Sequence, residues 1–444
     1  MRVPLSPPKY IVFLIFSLTL LTQNTRAMDY HVGFEADYAK VAEPSFFPIL
    51  KAGLEDPTHD LEIKFDPIHP NVNAVSSRNF YWGTSDESTE SGLRFSFGRR
   101  LIGWSSMDDM WQLGQIEPLD SWDRLRSFTQ GLTGIFAYSE TGSFRFRFFF
   151  SYLAIPETTP NVVIENQEFV SEHPQSAASA PQTLNLLNRP TPLGYSLDIP
   201  SLNKILFRPS FMFQIETKKN WPIYGKFVYG YLPLNHFPVA LQASLALSLN
   251  QEVIILHPLL YHHHVYNGEL SYSLPSNIFL GMNGLLDQPE AKVTPVDYTT
   301  SPLDTSLTLS PWLKFQFSKS TLLLSQIWAK GGVSADVGLY ANPNTSIFSS
   351  RILYRNASQI ELNQTLNDDE VHHPTLQIKG IHEYSIIANW IAADLNYHFE
   401  RNFSGFIGGD FISADRSVSP DRGAEFLSDL QTNNRVRIGV NYVF

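Results

Sequence analysis

Two pairs of arginines spaced by one residue, Arg145 with Arg147 and Arg435 with Arg437, stand inside the runs FRFRFFFSY and RVRIGVNYVF. In an extended chain, side chains two apart leave the same face. Each pair would then present two guanidiniums together and leave the other face to Phe, Val, Ile or Tyr. Carrying that parity along the other alternating segments adds Arg94, Arg100, Arg208, Lys226, Lys314, Arg351 and Arg355 to the polar face. Only Glu216, Glu269, Asp336, Asp394 and Asp410 oppose them. A cationic wall of this kind concentrates anions and replaces part of their hydration shell. The plainer alternative is that these bases pair with loop carboxylates and fill space.

A second cluster is acidic. Asp108, Asp109, Glu117, Asp120 and Asp123 fall within one stretch that also holds Trp104, Trp111 and Trp122. Large aromatics are poorly suited to a floppy, solvated loop. A segment folded back against the arginine wall would set opposite charges across a narrow gap, whereas a packed outer cap is the competing reading. His257, His262, His263 and His264 lie on one expected outer loop, and His372 and His373 on another. A tetrahedral site needs three or four converging ligands, so solvated histidines are expected, with no metal and no cofactor. No Gly-x-Ser-x-Gly elbow occurs, and HVYNG stands where outer-membrane phospholipases carry His-x-Ser-Asn. The reading is therefore not an enzyme, with lipid hydrolysis at a rim as a weaker alternative.

The elements that must position these groups are strands. In the last segment Val436, Ile438, Val440, Tyr442 and Phe444 share one face, and Arg435, Arg437, Gly439 and Asn441 the other, which is strand periodicity. Residues 207–216, 239–250, 266–274 and 309–318 repeat the pattern, as segments of about ten residues do in membrane barrels. Residues 1–27 read as a cleaved signal: Arg2 and Lys9, an apolar run from Tyr10 to Leu21 too short to span a bilayer, then small or polar residues to Ala27. No cysteine is present, which excludes disulfides and thiolate metal sites. The formal charge of −11 makes nucleic acid an improbable partner. With 32 Phe and 19 Tyr against 17% charged residues, the composition suits a wall bathed in lipid with aromatic girdles.

Residues 28–444 are thus expected to form an all-β, transmembrane, antiparallel up-and-down barrel of about 18 strands, with 16 or 14 as alternatives. Strands are placed near 30, 72, 91, 131, 143, 206, 222, 237, 252, 264, 277, 309, 321, 333, 346, 385, 403 and 435. Short turns at SETG, TKKN, NQE, LPSN, SKS, ANPNT and ERN are assigned to the periplasm. Loops 101–130, 155–205, 287–306, 356–380 and 413–434 are assigned to the outside, since such barrels have short periplasmic turns and longer outer loops.

The run from LRFSFGRRLIGW through the aspartates, within residues 93–136, resembles the strand, Gly-Arg, Trp, Asp pattern of porin-like outer-membrane barrels of the substrate-specific and alginate-export type; Ser105 stands where Gly would be expected. The resemblance implies a Gram-negative outer-membrane channel. The expected function is diffusion of small hydrophilic solutes with a preference for anions. Arg94, Arg100, Arg145, Arg147, Arg208, Arg435 and Arg437 would line the pore, and Asp108, Asp109, Asp120 and Asp123 would stand on the constricting loop. The alternative is a structural or surface-interaction protein closed by its loops. Tyr442 and Phe444 resemble the terminal signal read by the barrel assembly machinery. Expected partners are that machinery, outer-membrane lipid, lipopolysaccharide and small solutes; monomer and trimer both suit such a barrel.

Overall fold

The computed structural model describes residues 29–40, 44–56, 58–65, 73–83, 92–158, 162–165, 168–171, 183–186, 189–218, 222–246, 251–290, 303–332, 352–367, 373–400, 402–415, 426–430 and 434–444. The leader lies outside them. Eighteen strands form one antiparallel sheet. They are β1 Asp29–Lys40, β2 Pro44–Glu55, β3 His59–Phe65, β4 Asn73–Gly83, β5 Arg94–Arg100 and β6 Leu132–Thr141. There follow β7 Phe144–Leu153, β8 Phe207–Thr217, β9 Ile223–Pro233, β10 His262–Leu274, β11 Ile278–Pro289 and β12 Ser306–Gln316. The last six are β13 Ser320–Gly331, β14 Asn356–Thr365, β15 Thr375–Glu383, β16 Ala388–Glu400, β17 Phe403–Ala414 and β18 Arg435–Val443.

Each strand pairs with its sequence neighbour, and β1 pairs with β18 from His31↔Val443 to Ala39↔Arg435. The sheet therefore has no free edge. Alternation dictates the two faces. On β18 Ile438 is 56% exposed while Arg435 is 2% exposed, and on β7 Phe148 and Phe150 point out while Ser151 points in. Most connections at the end bearing both termini are short, such as 142–143, 275–277 and 317–319, though 84–93 and 366–374, the latter expected within an outer loop, lie there too; those at the far end include 101–131, 154–206 and 234–261 beside the short 41–43 and 384–387.

The strand count agrees with expectation, but its membership differs. Residues 239–246 and 251–258, expected as wall strands, pair with each other and with 189–197, which also binds 183–186. This four-stranded sheet unites two far-end connections, so the NQE turn is not at the termini end. Their sequence alternation is that of strands, but these strands pair in a sheet separate from the barrel's. Conversely, 356–365 and 375–383, expected as loop, are wall strands, and β2 and β3 were not anticipated. The expected strands near 333 and 346, and the ANPNT turn, lie outside the described residues.

The apolar core sits inside the barrel. Trp104, Met107, Trp111 and Ile116, between β5 and β6, are fully buried among inward side chains that include Phe149, Met212, Val228, Val265, Leu285 and Ile327.

Candidate functional site: a lumenal constriction

The inward segment begins at a glycine that no other residue could replace without strain. Gly98 has φ +122°, and a Cβ there would lie 2.4 Å from the Phe80 carbonyl oxygen. Arg99 Nε then donates to the Gly131 carbonyl at 2.9 Å, joining the two ends of the 101–131 segment. Helix α1, Ser106–Trp111, is capped by Ser105, whose Oγ accepts from the Asp108 N–H at 3.2 Å. The serine that departs from the resembled pattern thus has a structural task.

The wall holds this helix by polar contacts. Trp111 Nε1 donates to Ser310 Oγ at 3.0 Å, the Ser106 N–H to Glu269 at 2.7 Å, and Lys226 Nζ to the Gly103 carbonyl at 3.2 Å. Two carboxylates organise the segment's own backbone. Glu117 accepts N–H bonds from Ile102, Gly103 and Trp104, and Asp108 from Gln115 and Ile116. Burial pushes the Glu117 carboxyl up to about 8 and Asp108 up to about 7, against the pull of those donors.

A third anchor is ionic. Arg435 reaches Asp123 at 2.6 Å, Asp410 at 2.8 Å and Asp37 at 3.4 Å. Arg437 meets Asp394 at 2.6 Å and Glu35 at 3.2 Å. Arg126, on the 3-10 turn Arg124–Arg126, lies 2.5 Å from Asp394 and 3.0 Å from Asp410. The network joins β1, β16, β17, β18 and the inward segment where the sheet closes. Burial would raise the Asp123 carboxyl, but Arg435 and Arg437 outweigh it and hold it well below the usual carboxylate range.

The wall's outward side chains are aromatic and aliphatic, while charged networks lie inside beside the apolar core, the inverse of the charged exterior of a water-soluble protein. Only a surrounding hydrocarbon phase favours that inversion, and only a closed sheet satisfies its backbone there. The chain is a transmembrane β-barrel.

No protein-family profile matches it, and no curated protein does. Solved structures do. Pseudomonas aeruginosa OccK2 (OpdF) in complex with glucuronate aligns at 7% identity, covering 94% of this chain and 97% of that one, with a TM-score of 0.48. P. aeruginosa OccK8 (OprE) gives 8% identity, the same coverages and 0.46, and Acinetobacter baumannii OccAB4 gives 8%, again 94% and 97%, and 0.43. Scores below one half leave the barrel's reading to its own geometry.

Between the inward segment and the wall of β13–β16 remains a cavity of about 460 Å³. Ser106, Asp109, Met110, Gln112, Leu125 and Arg126 line one side; Leu323, Glu361, Gln377, Lys379, Trp390, Ala392 and Asp394 line the other. Lys379 lies with Nζ 5.5 Å from the centre of the Trp390 ring. Among the described residues no carboxylate comes within 4 Å of it.

The expected arginine wall is inward-facing, but it does not line this cavity. Arg145 and Arg147 both reach Glu216, at 3.8 and 3.1 Å. Arg94 stacks on Tyr138, Arg100 on Tyr81 while donating to Ser96, and Arg208 donates to the Tyr261 carbonyl. Arg351 and Asp336 lie outside the described residues. Of the expected acidic set, Asp109 lines the cavity and hydrogen-bonds Thr129, and Asp123 meets the arginines. Asp108 holds backbone, and Asp120 lies 3.7 Å from Lys64. Tyr442 and Phe444 pack edge to face at the termini end.

The cavity bases Arg126 and Lys379 were missed. Lys379 follows the parity of LQIKGIHE, in which Gln377 and Lys379 point in, but it fell in a stretch read as loop. The histidines also move: His262 and His264 belong to β10, stacked on Tyr231 and Tyr229, and His263 points inward to Asp287 at 2.8 Å. His257 sits on the outer sheet beside Asp198.

Proposed function

We propose that the barrel is a channel for small hydrophilic solutes, which pass between the inward segment and β13–β16. The observation that carries this reading is the one-sided cavity. Apolar packing and ion pairs hold the segment in place, leaving amides, hydroxyls and charges facing a gap of about 460 Å³. Asp394 is already matched by Arg126 and Arg437, so Lys379 is the cation a passing solute would meet. A modest preference for anions follows, weaker than a bare arginine wall would give, because Glu361 and Asp109 share the space. In this reading the long connections face outward, and lipid, lipopolysaccharide and the barrel assembly machinery are the barrel's partners.

A planar-bilayer measurement under a salt gradient tests it. Stable openings with a reversal potential of anionic sign are expected, and Lys379→Glu should move that potential toward cations. A barrel that inserts yet never conducts would overturn the channel reading. It would favour the second one, a surface-interaction protein presenting the outer four-stranded sheet.

A further inference from the structure

On the lipid side of the wall a groove of about 640 Å³ crosses β12–β16. Its lining residues come in strand triplets, such as Leu324–Gln326 and Ser358–Ile360, whose central members Ser325, Gln359, Ile381 and Trp390 are buried on the lumenal side. The groove therefore has outward side chains as its walls and strand backbone as its floor. Leu313, Leu324, Ile360 and Ile391 make it apolar, and Gly380 deepens its middle; a Cβ there would lie 3.2 Å from Ile360 Cγ2.

Toward the far end the lining changes character. Gln326 Nε2 donates to Asn356 at 2.8 Å, the Ser358 and Tyr384 hydroxyls lie 2.9 Å apart, His382 Nδ1 meets Asn389 at 2.8 Å, and Asn389 Nδ2 donates to Ser413 at 3.3 Å. This polar row spans β13–β17 on a face that elsewhere shows Ile, Leu and aromatics. Its members on β14–β17 lie within two residues of those strands' far ends, where hydrocarbon gives way to headgroups, and a lipid whose polar atoms stand at that level would bond them. Lys330 is exposed on the same outward row. Four residues beyond Gln326, it stands about 13 Å higher along the strand, which suits a phosphate above an acyl linkage.

We propose that this groove holds an acyl chain of lipopolysaccharide, the phosphorylated glycolipid whose acyl chains carry hydroxyls and amide linkages. The chain would lie over Gly380, its linkage and hydroxyl would bond the Gln326–Ser358–His382–Asn389 row, and its phosphate would meet Lys330. The long connections place this end in the outer leaflet, where that lipid resides. The site rests on the channel reading's outward placement of the long connections, and not on whether the lumen conducts.

Native mass spectrometry of the full barrel, extracted from lipopolysaccharide-bearing membranes, tests it. One lipopolysaccharide should survive exchange into fresh detergent. Gly380→Leu, which fills the floor, and the double change His382→Ala with Asn389→Ala, which spares packing, should each lower retention about tenfold. Heat-dependent electrophoretic migration would confirm that each variant is folded. Unchanged retention in the folded variants would overturn the proposal. So would phospholipid held in place of lipopolysaccharide, or cross-links showing a second copy over the groove.

Discussion

Arg435 shows what a side chain's parity can reveal and what it conceals. The alternation of RVRIGVNYVF places it inward, and inward it is, with a side chain 1% exposed. Its three carboxylate partners come from β17, the inward segment and β1, at 25, 312 and 398 residues' separation, so no local pattern could show that its charge is matched. Glu117 presents the same difficulty with the opposite sign. Nothing in QIEPLD marks a carboxyl that closes a backbone turn, yet the N–H groups of Ile102, Gly103 and Trp104 converge on it. Its folded pKa of about 8 lies above the roughly 4.3 of an unfolded glutamate. A raised carboxyl stabilises fully below the unfolded value, and that contribution is lost as pH rises through the folded one. Asp108 acts in the same direction, through about 7. Open-channel current noise should therefore grow between about pH 5 and pH 8 and level off above that, and Glu117→Gln should flatten much of that rise. A variant as pH-sensitive as the parent would assign the effect elsewhere.

Among the elements, legibility followed the outward face. Strands whose lipid side is uniformly apolar, such as β7, β8 and β18, could be read directly from alternation. NASQIELNQT in β14 could not, because Asn356 and Ser358 put polar atoms on the outward face as Gln359 and Glu361 do on the inward one, and the first two build the polar row of the groove. The strands of the four-stranded sheet alternate in sequence as cleanly as wall strands, since alternation marks a strand and not the sheet it joins. Helix α1 was invisible at six residues, although the tryptophans around it signalled that the stretch is packed. Trp111 is the element's chief apolar anchor. Trp111→Ala should cost about 3–5 kcal/mol of local packing and should free the segment without opening the barrel. Larger, noisier conductance and proteolysis confined to residues 101–131 are expected, with barrel migration on gels unchanged. Loss of the folded band would mean that the segment supports the wall itself.

For the molecule as a whole, the charge balance and the closure have one geometry. The overall negative charge gave no hint of how the interior is arranged; pairing inside the lumen leaves little unmatched positive charge along most of its wall. The sheet's closure joins the two ends directly: the Phe444 N–H donates to the Tyr30 carbonyl at 2.7 Å, beside the β1–β18 ladder. The strands accordingly form a cyclic order in which none is first except by the route of synthesis. A permuted gene, with its old ends linked and new ones opened in the turn at 275–277, should yield the same ring. Identical migration and conductance are expected from it. A permutant that inserts but cannot close would show that the order in which strands arrive, rather than their mutual fit, selects the seam.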